Sequence, residues 1–413
     1  MAGWRYLLVF RVVMVFLFAV VQLFFYLKIR SYLRSTRKPA WLLTSVNILF
    51  ALFNLAMVIS LSWRLDLNSV PKWFIDLGIY PFYIWHYSFL MLFLLTAIGK
   101  LLQLPFLAVM WVWRKVTDRN RVPDSVFQPS PVDAARRRLL RQGFTVVAGT
   151  TFAASTFGIL RRNKFDISNV TVPIAGLPDR LEGFTIALIS DIHSSIFMTK
   201  EQMQVYASVV NSLACDLIAV TGDFVNSMVE EVYPFAEAFS VLTAPCGVFG
   251  VLGNHDYFTR NVDVVAKEVT SCGIKLLRNS RIGIEKNGTT LHLLGLDDLG
   301  NGQRAKKLID KAVAGIEGKA LTILMCHRPY FFPQAAERNI GLMLSGHTHG
   351  GQIVFARIGN DIIAPARMVS PYVAGLYSIE TSHMYVSRGI GTVGVPIRLN
   401  CPPEITRITL TKA

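Results

Sequence analysis

Apolar and polar positions fall into two textures that meet near residue 160. Before that point, apolar residues run on almost without charge: 6–27 is broken only by Arg11 and Gln22, 41–63 is bounded by Trp41 and Trp63, and a third run covers about 79–102. Each is long enough to cross a hydrocarbon core of about 30 Å as a helix. A fourth, weaker run at 143–160 is rich in Gly, Ala, Ser and Thr, and the basic flank before it favours a span over a core helix. The first run is too long for a cleavable signal peptide and no small-residue cleavage site follows it. After residue 160, short apolar runs alternate with amphipathic segments. The runs at 185–190, 217–221, 248–252, 291–295, 321–325 and 340–344 have the length of buried strands, while 199–213, 229–242, 262–272 and 303–313 have helical spacing. This alternation predicts an α/β domain with functional groups at strand ends, followed from Ile353 by a Gly/Pro-rich tail with short strands.

Charge sharpens the division. The 413 residues are 52% hydrophobic and carry a net charge of +15, with a mean hydropathy of +0.41. Residues 1–164 hold 21 Lys/Arg against 5 Asp/Glu, whereas the remainder holds 21 against 22. The basic excess therefore belongs to the apolar part and reads as a topology signal, and no nucleic-acid partner is expected. Basic loops follow the first span (Lys28, Arg30, Arg34, Arg37, Lys38) and the third (Arg114 to Arg141, with a Pro-rich centre at 122–131 and Ser130 as a helix N-cap); the loop after the second span is balanced. By the positive-inside rule both basic loops face the cytoplasm, so four spans leave the domain outside it. The string Ala135-Arg136-Arg137-Arg138-Leu139-Leu140-Arg141 also resembles a twin-arginine export signal, and gives the same side. The expected layout is three spans in 1–113, a basic linker at 114–142, a fourth span at 143–160 and the α/β domain at 161–413, in a cell inner (plasma) membrane. His86, in an aromatic stretch at the third span, reads as an interfacial ring rather than a cofactor ligand. The five cysteines are scattered and form no Cys-x-x-Cys, so they suggest neither a zinc knuckle nor a disulfide framework.

Polar clusters terminate the strand-like runs: Asp191-Ile192-His193, Gly222-Asp223, Gly253-Asn254-His255-Asp256, Cys326-His327-Arg328 and Gly346-His347-Thr348-His349-Gly350-Gly351-Gln352. Five of the eight histidines lie in these clusters. Asp191, His193, Asp223, Asn254, His327, His347 and His349 make seven oxygen and nitrogen donors, too many for one tetrahedral ion and suited to two borderline divalent cations such as Mn, Fe or Zn. Arg328, Arg388 and Arg398 are candidate phosphate clamps. The segments 329–333 and 368–372 are apolar and aromatic, either acyl-docking surface or filler around the site.

This ordered series resembles the calcineurin-like metallophosphoesterase superfamily over about residues 180–355. The form Gly-His-Thr-His-Gly-Gly-Gln, with the later Ser387-Arg388-Gly389-Ile390-Gly391-Thr392, is similar to its membrane-bound or exported bacterial branch. The resemblance implies a four-layer α/β/β/α sandwich preceded by a bundle of about four transmembrane helices. It further implies that Asp191, His193 and His349 hold one metal, that Asn254, His327 and His347 hold a second, and that Asp223 bridges them. His255 would contact the leaving group, with Asp256 orienting it, and a metal-bridging hydroxide would attack the phosphorus. The second motif departs from the common Gly-Asp-x-x-Asp by ending in Asn226, which puts outer support of the centre in doubt. The expected activity is hydrolysis of a phosphodiester or pyrophosphate of a lipid or envelope substrate. The alternatives are a UDP-2,3-diacylglucosamine pyrophosphatase facing the cytoplasm and a non-catalytic membrane receptor on the same fold.

Overall fold

A computed structural model describes residues 2–62, 70–117, 131–298, 302–316, 320–359 and 361–413, which form two units, Met1–Phe157 and Gly158–Ala413. The proline-rich linker at 122–130, its Ser130 cap, and Trp63 with the balanced loop at 64–66 lie outside the described residues.

Among the described residues, four helices are long and apolar enough to cross a membrane: α1 (Ala2–Ser35), α2 (Ala40–Ser62), α3 (Tyr80–Thr117) and α4 (Pro131–Leu160). α3 is preceded by a π turn, Ile75–Ile79, and runs past residue 102 through Pro105. Within the first unit Val21, Phe25, Phe50, Phe89 and Leu92 pack into one cluster. Gln22, the one polar break of the first span besides Arg11, accepts hydrogen bonds at Oε1 from Asn54 (2.9 Å) and Trp85 (2.8 Å), which satisfies that oxygen away from water. His86 is buried against Phe18 and Phe82, with Nδ1 at 2.9 Å from the Phe82 carbonyl one turn back.

The second unit contains two six-stranded sheets. The first has the order β1-β14-β2-β3-β4-β5, from β1 (Asp166–Ile174), β2 (Thr185–Ile189), β3 (Leu217–Val220), β4 (Val248–Gly250), β5 (Lys275–Leu276) and β14 (Glu404–Lys412). The second has the order β12-β13-β9-β8-β7-β6, from β6 (Ser280–Lys286), β7 (Thr289–Leu296), β8 (Thr322–Cys326), β9 (Leu342–Ser345), β12 (Gly375–Ile379) and β13 (Ser382–Val386). A separate hairpin pairs β10 (Ala356–Ile358) with β11 (Asp361–Ile363). β2, β3 and β4 are parallel, as are β7, β8, β9 and β13, so each group delivers its C-terminal loops to one edge.

Side-chain alternation along each strand produces the layers. Ile186 and Leu188 of β2 and Leu217 and Ala219 of β3 face a core shared with Leu293, Ile323, Met325, Leu342 and Leu344 of the second sheet. Ala187, Ile189, Ile218 and Val220 point the other way, onto α5 (Lys200–Ser212), α6 (Val232–Phe239) and α8 (Val262–Ser271); a five-residue helix, α7 (Asn254–Phe258), intervenes. Leu294, Leu296, Leu324 and Met343 face α9 (Gly302–Val313) and α10 (Phe332–Ala336). Strands apolar on both sides are what two buried faces require, and the order of layers is α/β/β/α. At the start of α5, Thr199 and Gln202 form a reciprocal capping box, which satisfies two amides that the helix leaves free.

Candidate metal centre

Every polar cluster of the sequence lies just beyond the C-terminal end of a parallel strand. Asp191 and His193 follow β2, Asp223 follows β3, Asn254 and His255 open α7 after β4, His327 follows β8, and His347 and His349 follow β9. These loops converge. Asp191, His193 and His349 form one group, Asp191, Asp223 and His327 a second, and His193, Asp223 and His255 a third; within each, the donor atoms lie within 4.8 Å of one another.

The facing atoms are overwhelmingly lone-pair bearers. His327 places Nδ1 2.8 Å from the Thr221 carbonyl, which holds a proton on that nitrogen and leaves Nε2 to face Asp223 Oδ2, Asn254 Oδ1 and His347 Nδ1, each at 3.2 Å. On the other side His193 Nε2 and His349 Nε2 are 3.0 Å apart, and lie 3.5 Å from Asp223 and Asp191 respectively. So many acceptors cannot satisfy one another, and a divalent cation bound by nitrogen and carboxylate oxygen resolves the conflict. The titration of the cluster has the same cause. Burial drives protons off His193 and His349 well below the ordinary imidazole range and lowers His347 to about 3, with neighbouring histidines adding to the effect. Burial also opposes charge on His327, yet Asp223 outweighs it and raises that ring to about 10. Burial alone would raise Asp223, but His327 and its neighbours hold it well below the carboxylate range; burial lifts Asp191 to about 6.

The main chain is bent to suit. Asp191, His193, Asp223, His347 and His349 all have positive φ, between 48° and 75°, a region that costs a non-glycine residue roughly 1–2 kcal/mol. Glycines allow the loops to close on these residues. A Cβ at Gly346 would fall 2.3 Å from Asp191 Oδ2, and one at Gly253 would fall 2.2 Å from Asp223 Oδ1. In return the amide of His347 donates to both Asp191 oxygens, at 2.9 and 3.0 Å, and that of His255 donates to Asp223 Oδ1 at 2.8 Å.

The expected roles of Asp256 and of the three arginines change. Asp256 does not orient the His255 ring. Its buried carboxylate accepts hydrogen bonds from the amides of Gly253 (2.8 Å), Phe224 (2.9 Å), Asp223 (3.1 Å) and Val225 (3.2 Å), and so clamps the Asp223 loop. His255 is instead oriented by Asn226, whose carbonyl lies at Nδ1. Since that contact is made by the main chain, the loss of an acidic side chain at 226 leaves it intact. Arg328 is engaged in a bidentate ion pair with Asp298 and bonded to Tyr330, so its guanidinium is already spoken for. Arg388 bonds Asp166 and Glu404, and Arg398, 4% exposed, donates to the carbonyls of Arg388, Gly389, Gly391, His349 and Cys401. Both tail arginines are structural. Sequence reasoning missed this use of Arg398; its placement between Ile397 and Leu399 was the available sign. It also missed Thr221, which acts only through a carbonyl. All five cysteines are free thiols.

A family described as calcineurin-like phosphoesterase matches residues 184–351. The chain is 32% identical over 261 residues to a transmembrane protein with metallophosphoesterase domain of Danio rerio, covering 60% of this chain and 57% of that one. It is 30% identical over 285 residues to the uncharacterized metallophosphoesterase YkuE of Bacillus subtilis, covering 67% and 97% respectively. To the phosphodiesterase YaeI of Escherichia coli it is 29% identical over 282 residues, covering 67% and 99%. The chain spans less than two thirds of the length of the vertebrate relatives it matches.

Proposed function

Because the chain belongs to the calcineurin-like metallophosphoesterase family, we propose that it is a membrane-anchored, dimetal-dependent phosphoric ester hydrolase. The observation that carries this reading is the convergence of lone pairs from Asp191, His193, Asp223, Asn254, His327, His347 and His349. Asp191, His193 and His349 would hold one cation and Asn254, His327 and His347 the other, with Asp223 placed to serve both. The mixture of imidazole and carboxylate suits Mn, Fe or Zn. Two such cations supply Lewis acidity, lowering the pKa of water towards neutrality and neutralising charge on phosphoryl oxygens.

The chain's own residues do the rest. His255, its Nδ1 fixed by the Asn226 carbonyl, presents Nε2 to the leaving oxygen and hands it a proton, a step worth typically about 10²–10⁴-fold. Asp256 holds the loop that carries Asp223. Arg328 reaches a phosphate only by exchanging Asp298 for it. The substrate is a phosphodiester or pyrophosphate of a lipid or envelope molecule, since four membrane-length helices keep the centre near such substrates. The domain lies on the non-cytoplasmic side of a plasma or inner membrane, a reading supported by the basic loops through the positive-inside rule.

His255→Ala should lower metal-dependent hydrolysis of a chromogenic phosphodiester by about 10²–10⁴-fold without lowering bound metal. Unchanged turnover would refute the assignment.

A further inference from the structure

We propose that the β10–β11 hairpin and the turn after it, residues 355–359 and 361–369, insert into the headgroup region of the bilayer and seat the metal centre on the membrane surface. Among the described residues, the second unit exposes thirteen large apolar side chains. Five of them, Phe355, Ile358, Ile363, Met368 and Val369, fall in this one stretch. Met368 is 91% exposed, more than any other large apolar side chain described. The exposure is organised. In the hairpin register Arg357 pairs with Ile362, and Ala356 and Ile358 pair with Ile363 and Asp361. Ile362 is buried with Val354, Ala364, Val373 and Cys401. The opposite face therefore carries Ile358 and Ile363 outward, and the 3-10 turn Pro365–Met368 continues it.

The bilayer is the occupant that fits. α4 ends at Leu160 and β1 begins at Asp166, and the five residues between them span at most about 18 Å fully extended. The domain therefore begins within that distance of the end of a helix long and apolar enough to span. The one acid on the outward face, Asp361, is paired with Arg367 at 3.7 Å, so the face presents Ile358, Ile363, Met368 and Val369 without an unpaired charge among them, as interfacial anchors do whose apolar side chains reach about 5–10 Å into the headgroup and acyl boundary. The stretch is also continuous with the centre. It follows the His349 turn directly, a Cβ at Gly351 would meet Ala364 at 2.5 Å, and Thr348 bonds the Val373 carbonyl at 2.6 Å. Seating the hairpin brings the centre to phosphoesters at headgroup depth.

The inference rests on the membrane-anchored reading but not on its chemistry, and the test separates the two. The full chain is placed in nanodiscs of phosphatidylcholine and phosphatidylglycerol, with an environment-sensitive fluorophore at Met368→Cys or, as an exposed control, at Lys267→Cys; the unsubstituted chain gives the background from native thiols. The label at 368 should shift to the blue and lose most of its emission when shallow spin-labelled lipids are included, and the label at 267 should not. With the label moved to Ile358→Cys, adding Met368→Asp and Val369→Asp should abolish the quenching. A label at 368 that reads as water overturns the proposal, as does one that is shielded yet insensitive to the lipid quencher, which would mean a second copy or another protein surface covers the hairpin. Hydrolysis of a soluble chromogenic diester, measured in parallel, reports on the phosphoesterase reading alone.

Discussion

The two sides of the donor cluster are supported from different distances along the chain. Asn254, His327 and His347 are held by their own strand-end loops: the Thr221 carbonyl fixes His327, and Gly346 donates to the His327 carbonyl at 3.0 Å. Asp191, His193 and His349 lie deeper, and the C-terminal tail completes their support. Ile390 and Gly391 donate to the carbonyls of Ser190 and Asp191 at 3.0 and 2.8 Å, and Arg398 and Cys401 donate to that of His349. The outer side is thus a local product of β3, β4, β8 and β9. The deeper side exists only once the tail has returned, and β14 then pairs with both β1 and β2.

Asp223 belongs to both sides, so removing its clamp should abolish the distinction and give the largest effect. Asp256→Asn turns an amide NH₂ towards main-chain donors, and each buried donor left unpaired costs about 1–3 kcal/mol. Thermal unfolding should show the destabilisation, with metal binding lost on both sides; retention of either site would mean that the clamp is not shared. Arg398→Lys should cut selectively. A single ammonium cannot span five carbonyls, and loss of outer support typically lowers metal affinity about 10–100-fold. Calorimetric titration should then resolve one weakened and one unchanged site, and equal weakening would erase the comparison.

Acid should act on the same tail more gently. Burial would raise Glu404, but Arg388 and its other hydrogen-bond donors hold it below its ordinary 4.5. A carboxyl depressed in the folded protein contributes stability that is present above the unfolded value and is lost as pH falls through the folded one. Unfolding midpoints should therefore drop below about pH 4.5, and Glu404→Gln should flatten that part of the profile. The smallest effect is expected from Asn226→Ala. Its carbonyl serves His255, so turnover should stay within about twofold, as for substitutions away from buried contacts.

The strands that build the outer side were legible because each is a short apolar run stopped by polar residues, and the predicted 217–221 and 248–252 contain β3 and β4. β1 and β14 left a weaker trace. Asp166–Ile174 alternates exposed and partly buried residues up to Val172, and its partner lies more than two hundred residues away. The donor residues could be read from their types and spacing. The duties of Asp256, Asn226 and Arg398 could not, since each depends on which main-chain groups a distant loop brings near.

The left-handed backbone at Asp191, His193, Asp223, His347 and His349 narrows the vocabulary open to this centre. Besides glycine, the residues that tolerate that conformation best are Asn, Asp and His, and these are also good ligands for divalent cations. Main-chain geometry and coordination chemistry thus screen for the same short alphabet. A substitution at any of these five positions alters two properties at once. Replacement by glycine removes the ligand and relaxes the chain; replacement by alanine removes the ligand and leaves the strain, so the difference between the two isolates the conformational share of each residue's worth.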